Sequence, residues 1–169
     1  MKSLIILIIL LITTSIDAKE LADLKNLVIH KTPKTYENIA FSDSKGQIIE
    51  LSKLKGKLII LNFWATWCAP CKKEMPSLDK LSIKYSDILI FPINLEKPNP
   101  KKSKEFFDNL KIKNLSIYFD PDFKLTKQFQ LRGIPTTILI NKEGKEFARI
   151  IGEIDFNDKK FVEWLRQFI

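Results

Sequence analysis

Two cysteines, Cys68 and Cys71, stand three positions apart in a chain of 169 residues that holds no other cysteine and a single histidine, His30. A thiol reacts as its anion, and an unperturbed cysteine has a pKa of about 8.5, so a reactive pair needs surroundings that favour the thiolate. Two such thiols can trade electrons with a disulfide. One thiolate attacks the partner disulfide to give a mixed disulfide; the second attacks the first sulfur, releases the reduced partner and leaves an internal bridge. Other uses of the pair fit less well. A bridge across so few positions closes a loop too small to remove much entropy from the unfolded chain. A structural zinc site takes four ligands, which two Cys and one His do not supply. His30 reads instead as a linker residue, and Cys68 and Cys71 as chemical residues.

The elements around the pair have to make the thiolate favourable. Leu58 to Trp64 is the strongest strand in the chain, nearly all apolar, as a strand buried on both faces should be. It runs through Ala65, Thr66 and Trp67 into Cys68, where a helical pattern starts. Cys68 then meets the positive end of a helix and its free N–H groups. Cys71 lies one turn on and deeper, and Pro70 falls in the first turn, where a missing N–H costs little. Met75, Leu78, Leu81, Ile83 and Tyr85 mark the buried side of that helix and lysines the other.

Short strands are expected at 38–41 and 48–51 around the turn 42–46, with Ser52 capping a single turn, then at 88–94, 116–119, 136–140 and 146–151. Helices are expected near 101–110, from Pro121 to Gln130, and from a cap at Asn157 or Asp158 to Phe168. That order is an α/β domain, a central sheet with helices on both faces.

The block from Asn62 to Pro76, which contains Trp67-Cys68-Ala69-Pro70-Cys71 and Glu74, resembles the active-site block of the TlpA/ResA/CcmG branch of thioredoxin-like proteins. Gly133-Ile134-Pro135-Thr136-Thr137 with Glu143-Gly144-Lys145 is similar to that family's cis-proline strand and hairpin, and the likeness covers roughly residues 35 to 169. It implies a thioredoxin-like fold with a mixed sheet, an N-terminal strand extension and the branch's insertion, here the helix from Lys101 to Leu110 and the strand near Ile117. It further implies that Pro135 is cis and faces the cysteines, its ring keeping metals off the thiols. The backbone of Ile134 would pair with a bound substrate strand, with Trp67, Ala69, Pro70 and Thr136 around it. Trp64 and Trp67 would pack beside the site. Glu74 would handle protons for Cys71, since the position matching the buried aspartate of thioredoxin is Asn62, which cannot take up a proton in that way. The resemblance implies no cofactor beyond the Cys68–Cys71 disulfide and no metal.

The remaining expectations concern place and partners. Lys2, the aliphatic run Leu4 to Ile12 and the polar stretch into Ala18 form a secretory leader over 1–18, cleaved after Ala18 or kept as an anchor. Residues 19–32 read as a linker, and the domain spans 33–169, beginning at Pro33. Export would make the protein periplasmic or otherwise extracytoplasmic. Its partners would be dithiol and disulfide clients and a membrane electron donor, as in cytochrome c maturation or copper-site assembly, with inner-membrane association left open and a monomer expected. The net charge of +8 reads as a lysine-rich solvated surface, and no Arg cluster or zinc-finger spacing supports nucleic-acid binding. The rivals are a disulfide-forming oxidant, whose large helical insertion has no room here, and a non-catalytic thioredoxin-fold binding module, against which intact Cys68, Cys71 and Pro135 argue. A peroxidase fits least, because the pair does not resemble the threonine–cysteine arrangement of peroxiredoxins.

Overall fold

The structure is a computed structural model that describes residues 24–169; the leader expected over 1–18 lies outside the described residues. In chain order the strands are β1 (Leu27–Lys34), β2 (Ala40–Asp43), β3 (Ile48–Glu50), β4 (Leu58–Trp64), β5 (Ile88–Asn94), β6 (Tyr118–Phe119), β7 (Thr136–Ile140) and β8 (Glu146–Ile151). The α-helices are α1 (Ala69–Lys84), α2 (Pro100–Asn109), α3 (Lys124–Gln128) and α4 (Lys159–Leu165). The strands form one eight-stranded mixed sheet in the order β1-β8-β7-β4-β5-β6-β2-β3.

β4 lies in the middle of that sheet and is buried at every position. It pairs with β5 in parallel and with β7 in antiparallel register, so it needs apolar side chains on both faces. Alternate residues feed two cores. Leu58, Ile60 and Trp64 face α1 and the cysteines, while Ile59, Leu61 and Phe63 face Phe41, Leu125 and Phe129. Met75, Leu78 and Leu81 of α1 are fully buried in the first core, as the sequence pattern requires, but Ile83 is 63% exposed. Asp79 takes a buried place on α1 instead, its carboxylate accepting the N–H groups of Asn114 and Leu115 and so fastening the segment after α2.

Three expectations change. The segment 27–32, read as linker, is most of β1, an edge strand paired antiparallel to β8. His30 in it is not a bystander: its Nε2 lies 2.6 Å from Oε1 of the buried Glu146. The helix expected from Pro121 starts only at Lys124, after a turn in which Phe123 adopts φ 53°. Asp120 sets that turn, its backbone carbonyl accepting Phe123 N–H and its carboxylate accepting Thr126 N–H. Ser52 does not cap its turn, which is a 3-10 helix from Leu51 to Leu54 with no side-chain cap. At the C-terminus Asp158 is the cap, accepting Phe161 N–H at 3.0 Å.

Candidate active site

The cysteines sit where β4 gives way to α1. Cys68 is the N-cap of α1 and its Sγ accepts the Cys71 N–H at 3.2 Å. The same helix-terminal N–H groups and dipole stabilise the thiolate of Cys68 once the bridge is open. The two residues are joined by a disulfide with their Cα atoms 5.3 Å apart, and both are buried. Ala69 is exposed and Pro70 half-buried in the first turn of α1. Trp64 packs as expected, fully buried with ring centroids 4.6 Å from Phe106 and 5.4 Å from Phe107. Trp67 does not pack: it is 70% exposed beside Cys68.

The peptide bond Ile134–Pro135 is cis and leads directly into β7. Phe63 of β4 pairs with Thr136, which puts Pro135 at the end of the sheet that carries Cys68. Thr136 is buried, and its hydroxyl donates to the Gly133 carbonyl at 2.7 Å, bracing the proline loop.

Glu74 is 2% exposed, on α1 one turn beyond Cys71. Its Oε1 accepts from Nδ2 of Asn62 at 2.8 Å and its Oε2 accepts the N–H of Ile154 at 3.2 Å. Asn62 gives its other amide hydrogen to the hydroxyl of Thr137 at 3.0 Å. Burial pushes the Glu74 carboxyl up to about 7; the bonds from Asn62 and Ile154 pull the other way, and Glu153 adds a smaller upward push. Both donors are neutral, so no partner cation offsets the loss of water. Glu74 thus changes protonation near neutral pH, one helical turn from the buried Cys71. A cavity of about 450 Å³ lined by Lys73, Ser77 and Glu153 reaches it from solvent.

A second carboxylate at the site escaped sequence reasoning. Glu96, just past β5, accepts the Thr66 N–H at 2.6 Å, the Thr66 hydroxyl at 3.0 Å and the Lys102 ammonium at 2.6 Å. It ties the loop that enters Cys68 to α2. Partial burial acts upward on its pKa, but the bonds from Lys102 and Thr66 win and hold it below the ordinary value. Only the Asn94-Leu95-Glu96 sequence after a buried strand could have hinted at it. Among the described residues no cluster of His, Cys, Asp or Glu could hold a metal ion, and no helix is long and apolar enough to cross a membrane.

A capping dithiol beside a cis-proline strand, on a mixed sheet with helices on both faces, defines a thioredoxin-fold thiol–disulfide oxidoreductase. The chain belongs to the AhpC/TSA family, which matches residues 30–145, and within it to the ResA-like thiol–disulfide oxidoreductases. It is 37% identical over 121 residues to the thiol-disulfide oxidoreductase ResA of Bacillus cereus, covering 71% of this chain and 69% of that protein. It is 36% identical over 118 residues to ResA of Bacillus subtilis, covering 68% and 64%. Among solved structures, StoA of Bacillus subtilis is 27% identical with a TM-score of 0.63, covering 79% of this chain and 99% of that one. A DsbE-type thiol:disulfide interchange protein of Chlorobium tepidum shares the fold at a TM-score of 0.69 and 22% identity, covering 81% and 96%.

Proposed function

We propose that the protein is a reductase of client disulfides outside the cytoplasm, with Glu74 supplying and removing the proton that accompanies exchange at Cys71. The Cys68 thiolate, at the helix terminus, attacks one sulfur of the client disulfide, forming a mixed disulfide and expelling the other client sulfur as a thiolate that takes up a proton. Cys71 loses its proton, attacks Cys68 Sγ, and the client leaves with two thiols; the electron pair that reduced it comes from the dithiol, which ends as the Cys68–Cys71 bridge. A buried thiol is a poor anion, so its proton needs an acceptor inside the protein. The neutral amide of Asn62 cannot be that acceptor, and Glu74 can. The observation that carries this reading is the buried Glu74 carboxyl, fixed by Asn62 one turn from Cys71 and pushed by burial up to about 7. Exposed Trp67, the Ile134 backbone and Thr136 around cis-Pro135, together with Ala69 and Pro70, form the rim on which a client strand would lie.

The extracytoplasmic setting rests on the leader-like sequence over 1–18 and on relatives such as an exposed lipoprotein thioredoxin of Streptococcus pneumoniae, which is 26% identical with a TM-score of 0.65. The clients we favour are apocytochrome c or copper-site assembly proteins, with a membrane donor restoring the dithiol. Equilibrating the pair against dithiothreitol or glutathione buffers tests the direction. A reductase has a potential of about −270 mV or lower; a value near about −120 mV would make the protein an oxidant.

A further inference from the structure

Among the cavities that the exchange chemistry leaves unused, one is lined by cationic side chains with no acidic residue in its walls. It has a volume of about 650 Å³ and is walled by Lys34 and Tyr36 from the β1–β2 segment, Arg132 from the proline loop, Thr136 of β7 and Arg149 of β8. It lies on the sheet face opposite the cysteines, since Phe129 in its wall belongs to the second core, yet it opens at the same end of the sheet. Thr136 follows Pro135 directly, and Arg132 is three positions before it. At most about 3.6 Å of extended chain per residue separates these walls from the proline, so a client strand on Ile134 reaches the cavity within a few residues.

Three of its lining residues are cationic and none is acidic. Arg149 is partly spent on Glu146, which it contacts through Nε at 2.6 Å and Nη2 at 2.9 Å. Lys34 and Arg132 are exposed, and among the described residues neither has an ion-pair partner. The cavity at Glu74 differs: its lysines Lys73 and Lys80 face Glu153 and Asp155, and the Lys73–Glu153 pair is closed at 3.3 Å. Of these two cavities, the one on the proline-loop side is lined by cations with no acidic residue among them. A planar guanidinium such as that of Arg132 matches a carboxylate with two parallel hydrogen bonds.

We propose that this cavity is a specificity subsite for an acidic side chain of the client, two to four residues from the client cysteine that Cys68 attacks. The inference rests on the reductase reading above and adds to it a sequence preference. Charged rim contacts of this kind act mainly on encounter and register, so the preference falls on kcat/KM and weakens with salt.

The test uses matched disulfide-linked peptides that carry Glu or Gln at those positions on either side of the cysteine, with hydroxyethyl disulfide as a small neutral substrate. The wild-type protein is expected to favour one Glu peptide over its Gln twin by about two- to fivefold in kcat/KM at low salt. K34E/R132E is expected to cancel or invert that preference, and high salt to shrink it in the wild type. Equal turnover of the two peptides by the wild type, with hydroxyethyl disulfide still reduced, overturns the subsite alone, and so does a preference that persists in K34E/R132E. Absence of turnover on every substrate overturns the reductase reading and the subsite with it.

Discussion

Two glutamates in this molecule are almost fully screened from solvent and are held in opposite states. Glu74 is 2% exposed and Glu146 0% exposed. Glu74 receives hydrogen bonds from an amide side chain and a backbone N–H, both neutral, and burial drives its pKa up to about 7. Burial pushes Glu146 up as well, but Arg149, His30 and Tyr36 all bond to it and together bring it below its ordinary value. The same environment presses Tyr36 up to about 12, through burial first and the bond to Glu146 second. Depth alone does not decide a carboxyl group's state; the charge of its partners does. The group with neutral partners sits beside the dithiol, and the group with a guanidinium partner clamps β1 and the β2 approach to β8.

The largest effect should come from breaking the clamp. Glu146→Ala leaves the half-buried Arg149 guanidinium without its anion and should cost about 3 kcal/mol of stability in denaturant melts, the low end for a broken buried pair, while the pH dependence of exchange in the folded protein stays as it was. A loss below 1 kcal/mol would show that the Arg149 charge is met by water instead.

Next is Glu74→Gln, which should slow reduction of a protein disulfide about a hundredfold near neutral pH, the low end of general acid–base catalysis. It also sharpens the contrast in stability. The folded pKa of Glu74 is above its unfolded value of 4.5, so its contribution is full below 4.5 and is lost as pH rises through about 7. Glu146 is shifted the other way, so its contribution is present above the ordinary carboxylate range and is lost as pH falls through its depressed folded value. Relative to wild type, Glu74→Gln should therefore gain stability between pH 4 and pH 8 by about 3 kcal/mol, read from melts across that range. Asn62→Asp is the milder version. It sets a second carboxylate against Glu74, so that the pair shares one proton and the rising limb of the pH–rate profile set by Glu74 moves to higher pH. The smallest expected effect is at the surface. Lys73→Ala breaks an exposed ion pair with Glu153 and should change stability by no more than about 0.5 kcal/mol.

The same contrast explains how much was legible in the sequence. β4, β5, β7 and β8 stand at their expected bounds because continuous or alternating apolar runs leave little choice of element. The Cys68–Cys71 pair followed from a short-range motif, and the cis form of Pro135 from the family resemblance that the motifs carry. β1 was missed because an edge strand with Val28 and Ile29 exposed and lysines among them carries no burial pattern to read. The position of Glu74 on the dithiol face could be read from helical spacing, but its partner Ile154 lies 80 positions away. Arg149 lies three positions from Glu146 on the same strand, but His30 and Tyr36 reach it only because β1 pairs with β8, so no local pattern marked Glu146 as buried.

The pH–rate profile of client-disulfide reduction, measured for the wild type and Glu74→Gln side by side, tests the central claim most directly. A wild-type limb with a midpoint near 7 is expected to disappear in Glu74→Gln, leaving only the limb set by the Cys68 thiolate. A profile that keeps its shape and midpoint in the variant would contradict it, and would assign the proton of Cys71 to some other group.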